Sequence, residues 1–308
     1  MTTLRTRHGL ILMIGGGILL GTIGVPLQEA DQHSLTAVWF RCLFGCIALS
    51  IVLAVSGRLP ELKLRGRRLI VVIVTSLLML LNWWLFFGAI LRTSIALATL
   101  VFHVQPFIVM ALGAWWFGDR VNPRQWAAAG VAVIGLALVS DAVSALAGIK
   151  TIEHDEWVGL MMCLVGAFCY ALVVVLTKSI QTNHAISSTV LEVPTASPPS
   201  PIVLVWWQCA IGILVLGWWP IQHGLPSAPK AWAWLFALGV LNTGLAYTLL
   251  YAGISRLPSG RIAILQFVYP LTAVIVDGVV YDRVLDLMQF FGFLLMIVAV
   301  LVTASVDD

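Results

Sequence analysis

Asn82, His103, Gln105, Gln208, Asn242, Gln266 and Asp277 stand inside stretches of this 308-residue chain that are otherwise apolar. A polar side chain in hydrocarbon costs free energy unless it is paired or lines water, so such residues mark a path for a solute. His103 has the widest chemistry. A neutral imidazole can hydrogen-bond a solute, and it can also take up a proton and couple that proton to movement. The plain alternative is a histidine satisfied by a neighbouring helix. Asp277 is a second candidate for proton or cation binding, with pairing to Arg283 as its structural alternative.

Aromatic rings accompany these groups. Trp83 and Trp84 follow Asn82, with Phe102 beside His103, Tyr247 after Asn242, and Tyr269 near Gln266. Such rings can stack on a planar or cationic solute. Adjacent helical residues diverge by about 100°, so Trp83 and Trp84 cannot both face one cavity equally. The candidate substrate-binding set is Asn82, Trp83, Trp84, Phe102, His103, Gln105, Asn242, Tyr247, Gln266 and Tyr269. No H-E-x-x-H, G-x-S-x-G or paired deep carboxylate is present, so no catalytic residue, metal site or cofactor is expected. The five cysteines fall in apolar stretches without a C-x-x-C and read as packing.

The elements that must position these groups are membrane helices. With 60% apolar and 10% charged residues the chain has the composition of a polytopic membrane protein. Ten apolar segments approach the length needed to cross a bilayer: 10–27, 35–56, 67–91, 94–116, 124–141, 157–179, 201–220, 230–254, 258–281 and 287–304. Arg5, Arg7 and His8 precede the first, which lacks a convincing cleavage site and reads as a span. With the N-terminus inside, 12 of the 17 Lys and Arg residues fall on the cytoplasmic side. The expected location is therefore the inner membrane, with both termini cytoplasmic. Membrane lipids are the expected partners, the basic cluster at 58–68 meeting anionic headgroups, and nucleic acid is not. Only Arg41 lies within a span, with Lys178 near an edge, which disfavours phosphorylated substrates. Oligomeric state is left open.

Two stretches repeat. Arg92 to Pro106 and Arg256 to Pro270 are each fourteen residues, followed by Asp119-Arg120 thirteen residues on and Asp282-Arg283 twelve residues on. The offset lays the fourth span over the ninth and divides the chain into 1–141, a connection at 142–156, and 157–308. Five spans per half would force the halves to enter the membrane from opposite sides, giving inverted repeats around a central cavity. Pro106 and Pro270 should bend their spans, while Asp119, Arg120, Asp282 and Arg283 read as structural anchors. Asn122 and Asp286 should cap the spans that follow.

The segment from Gly88 to Ala98, with Pro106 and Phe117-Gly118-Asp119-Arg120, resembles the EamA repeat of the drug/metabolite transporter superfamily. So does its partner from Tyr251 through Pro258-Ser259-Gly260 and Pro270 to Tyr281-Asp282-Arg283. Asp replaces the usual Glu of the Gly-Glu-Arg ending in both copies, and Arg41 matches a position where that family often has Arg. The resemblance implies ten helices around a central cavity and export of amino acids, drugs or other small metabolites. The expected function is alternating-access transport of an amino acid, aromatic metabolite or amphipathic cation, most simply export. The rival class is a membrane-embedded enzyme acting on a lipid or small apolar substrate.

Overall fold

The computed structural model describes residues 2–93, 95–140, 154–182, 198–282 and 284–305. Arg283, the connection as far as residue 153 and the proline-bearing stretch around Pro194 lie outside the described residues. Every regular element among the described residues is helical. Seven helical stretches are long and apolar enough to cross a membrane: Leu4–Ala30, Ser34–Val55, Arg67–Arg92, Leu97–Phe117, His154–Thr182, Pro229–Ile254 and Ser259–Val280. Three shorter apolar helices, Pro123–Val139, Pro201–Leu216 and Leu287–Val302, fall on the expected fifth, seventh and tenth segments. At about 1.5 Å per residue the first two cover about 25 Å, less than the roughly 30 Å hydrocarbon core.

Two compact units make up the chain: Met1–Leu77 with Val173–Arg256, and Leu78–Leu172 with Leu257–Asp308. Each draws helices from both halves of the sequence.

In the first unit, α1 (Thr2–Gly21) packs on α12 (Ala246–Ile254), and α3 (Ser34–Val55) packs on α9 (Pro201–Leu216) and α11 (Pro229–Gly239). Gly45 and Gly239 let α3 and α11 meet backbone to backbone; a Cβ on Gly45 would stand 3.1 Å from the Gly239 carbonyl oxygen. Small residues serve in this way in lipid, where close van der Waals packing replaces hydrophobic association. Phe40, Leu235 and Leu238 form the core beside that contact. At one edge the Arg58 guanidinium holds the Glu61 carboxyl below the ordinary carboxylate range, and the Ser200 hydroxyl donates to the same group at 2.8 Å.

The second unit contains α5 (Ile95–Phe102), α6 (Gln105–Phe117), α7 (Pro123–Val139), α13 (Ser259–Leu265), α14 (Val268–Val280) and α15 (Leu287–Ser305), with parts of α4 (Arg67–Arg92) and α8 (His154–Thr182). Asn122 and Gln125 form a reciprocal capping box at the start of α7, and Asp286 and Gln289 form the same box before α15. α7 and α15 are in contact through Gly135 and Gly292, where a Cβ on Gly135 would stand 2.6 Å from the Gly292 carbonyl oxygen.

Gly135→Val should therefore force these helices apart and destabilise the protein by about 1–3 kcal/mol. Gly130, on the same helix, has open space around its absent Cβ, so Gly130→Ala should leave the melting temperature unchanged or raise it. Thermal unfolding in detergent compares the two.

Candidate functional site

Two spans of the second unit are broken at corresponding places. α5 ends at Phe102 and α6 begins at Gln105, while α13 ends at Leu265 and α14 begins at Val268. The cause is chemical. Pro106 and Pro270 have no amide hydrogen, so the carbonyls of Phe102 and Gln266 lose the donor four residues on. The turn tightens in response: Val104 N donates to Val101 O at 3.2 Å, and Phe267 N donates to Ile264 O at 3.0 Å. His103 N is shared between the carbonyls of Thr99 and Leu100.

The two breaks meet through their side chains. His103, 5% exposed, has its ring centroid 5.6 Å from that of Phe267, the residue that overlays it in the repeat. The Tyr269 ring is almost parallel to His103, at 6.4 Å and 10°. On the other side Phe102 lies 5.0 Å from Phe86 of α4 and 6.1 Å from Tyr170 of α8. One turn before Phe86, Asn82 is buried against Gly166, itself one turn before Tyr170. The result is a layer of rings across both breaks, with an amide one turn below it.

The hydrogen bonds give the site a polarity. His103 Nδ1 is 2.7 Å from the Thr99 carbonyl oxygen, which only accepts, so Nδ1 carries the proton. In the neutral ring Nε2 is then an acceptor, and it becomes a donor when the ring is protonated. Gln105 is 3% exposed and its Nε2 has no hydrogen-bond partner; the Oδ1 of Asn82, also 3% exposed, has none either. Buried amides in that condition are costly and mark places where a polar group is wanted. Gln266 and Trp83 are half-buried, whereas Trp84 is 59% exposed, so the two tryptophans do diverge. Asp277 is half-buried on the last turn of α14.

Asn242 and Tyr247 belong to the first unit. Asn242 lies on a π-helical turn, Val240–Leu245. Its Nδ2 donates to the Leu19 carbonyl at 2.5 Å and to Thr22 Oγ1 at 2.9 Å. The amide thus joins the Thr22 N–H and hydroxyl, which also donate to the Leu19 carbonyl at the end of α1. Next to it, Arg41 Nε donates to Thr243 Oγ1 at 2.9 Å, and that hydroxyl donates to the Leu238 carbonyl. The Arg41 guanidinium stands 6.0 Å from the Tyr247 ring centroid, Tyr247 lies edge-on to Tyr251, and the Tyr251 hydroxyl exchanges hydrogen bonds with the Gln208 amide. Sequence reasoning noticed Gln208 and Tyr251 singly and missed that they join Arg41. The signal was available, because a charge within a span demands polar neighbours.

Two further cations are buried within the protein: Arg261, 5% exposed, three residues into α13, and Lys178, 7% exposed, one turn before the end of α8.

Asp119 also behaves differently from its apparent counterpart. Its Oδ2 accepts from Ser259 N at 2.9 Å and from Ser259 Oγ at 2.5 Å. At the end of its own helix this carboxylate would oppose the dipole; at the start of α13 it is favoured. The left-handed turn that delivers it is made by Gly118, φ 68°. In the second copy the left-handed residue is Asp282 itself, φ 51°.

Comparison with known proteins follows the same outline. The sequence profile of the EamA-like transporter family matches residues 7–141 and again 157–305. The chain belongs to the EamA-like transporter family. It is 23% identical over 296 residues to an uncharacterised transporter of Bacillus subtilis, covering 95% of this chain and 88% of that one. A transporter of Archaeoglobus fulgidus is 25% identical over 297 residues, covering 96% of each. A probable amino-acid metabolite efflux pump of Escherichia coli is 25% identical over 201 residues, 65% of this chain and 64% of the pump. One crystal structure matches with a TM-score of 0.78 at 16% identity, covering 96% of both chains, which establishes a shared fold.

In this EamA-like chain, therefore, Phe86, Phe102, His103, Tyr170, Phe267 and Tyr269 form one connected layer, with Asn82 one turn away. His103→Phe should keep the ring contacts yet lose the bond to Thr99, lowering stability by about 1 kcal/mol. Uptake of labelled solute into vesicles should fall about tenfold, because the Nε2 partner is gone. In the first unit, Tyr251→Phe should lower stability by about 1–3 kcal/mol in a thermal melt, since it leaves buried Gln208 without its partner.

Proposed function

We propose that this membrane transporter moves a small organic metabolite by alternating access: an amino acid, an aromatic metabolite or an amphipathic cation, in the export direction. The observation that carries the reading is the meeting of two interrupted spans at His103 and Phe267. Irregular backbone at membrane depth is tolerated where it is covered by protein or lines a solute path, and discontinuous helices form the binding sites of many secondary transporters. The ring layer offers faces for apolar or cationic parts of a solute, while His103, Gln105 and Asn82 offer hydrogen bonds. The Escherichia coli relative, named a probable amino-acid metabolite efflux pump, supports that substrate class.

The same reading takes 1–141 and 157–308 as inverted five-span halves, with the inner membrane as location and both termini cytoplasmic. His103 and Asp277 are the residues through which a proton would be coupled. The test is purified protein in liposomes, with labelled L-phenylalanine, labelled L-serine and the cationic dye ethidium as probes. Saturable movement of at least one probe, abolished by disrupting the break at Pro106 or His103, is expected. If none crosses and lipid turnover is seen instead, the chain is an enzyme and the proposal is wrong.

A further inference from the structure

The contact of Asp119 with Ser259 joins the end of one interrupted span to the start of the other. Three independent features converge on it, all within the second unit. The carboxylate accepts both the backbone and side-chain hydrogen bonds of Ser259. Gly113, on the helix that Asp119 follows, leaves the space in which Ser259 sits: a Cβ there would overlap both Ser259 Oγ and Cβ. Behind it, the Gln125 amide of the α7 capping box packs into the space left by Gly260, where a Cβ would overlap Oε1. A helix of seven residues, α13, runs from this contact to the break at Gln266 and Phe267. Holding its first residue therefore sets where Phe267 meets His103.

The two copies differ in the spacing that leads to this contact. The second copy is one residue shorter between its proline and its aspartate, and the left-handed turn consumes Asp282 where the first copy uses Gly118. Counting from each left-handed residue, the position held by Asp119 is held by Arg283.

We propose that Asp119, Gly113 and Ser259 form a gate, closed in this structure, that must part on each transport cycle. Asp119 acts as a positioning residue for the ring layer. The gate lies on the face to which charge counting assigns Arg120 and Arg256, the cytoplasmic one. This proposal rests on the transport reading.

The experiment pairs a wedge with its steric suppressor. Gly113→Ala cannot coexist with the closed contact, whereas Gly113→Ala with Ser259→Gly removes both atoms it would strike and keeps the backbone N–H that donates to Asp119. Hydrogen exchange of the amides at 259–262, read by mass spectrometry in nanodiscs, needs no substrate. It should quicken about tenfold or more in Gly113→Ala and in Asp119→Asn, and return toward wild type in the double variant, as expected when a closing interaction is lost and restored. In liposomes carrying labelled L-phenylalanine, Gly113→Ala should lower the maximal rate severalfold with little change in half-saturation, and the double variant should recover it. A purely structural role would move the melting temperature without that split. Slow exchange and full transport in Gly113→Ala would sink the gate. Failure of wild-type protein to move any probe while the exchange pattern holds would leave the contact standing and overturn the transport reading beneath it.

Discussion

In hydrocarbon every backbone amide and carbonyl must find a partner inside the protein, and two prolines in this chain prevent that in the middle of a span. Pro106 and Pro270 each leave a carbonyl without its helical donor, at Phe102 and Gln266. The turns before the prolines tighten, His103 shares its amide between two carbonyls, and aromatic side chains gather at the two breaks. A membrane protein built for stability alone has no reason to carry two such faults at the same depth. Their direct contact makes the fault a site.

In the first unit, Arg41 bonds Thr243, Tyr251 bonds Gln208, and Asn242 bonds the end of the first helix from the π-helical turn at Val240–Leu245. In the second, Asn82 Oδ1 and Gln105 Nε2 are buried without a hydrogen-bond partner. A partly satisfied network waits for a ligand, and the ring layer joins these amides to the meeting of the two interrupted spans.

Repeats similar in sequence are not interchangeable in structure. Asp119 and Asp282 look equivalent because each precedes Arg, yet a single missing residue moves Asp282 into the left-handed turn position. A short polar side chain tolerates that conformation better than most, so the substitution for Gly118 is physically reasonable.

Much of the frame was legible in the residues alone. Apolar segments of sufficient length admit only helices in lipid, so the helical spans, the caps at Asn122 and Asp286, and membership of a transporter family all rest on local chemistry and composition. The break near each proline was readable for the same reason: it depends on a missing hydrogen within four residues. Partners distant in sequence were not. That His103 meets Phe267, that Asn242 bonds the end of the first helix, that Arg261 is buried, and that Asp119 reaches Ser259 are consequences of which helix faces pack together. Those faces are chosen by glycines such as Gly45, Gly113 and Gly135, whose effect lies in the atoms they lack and the neighbour that fills the space. Such complementarity has no periodicity to read, so only the tertiary structure decides it.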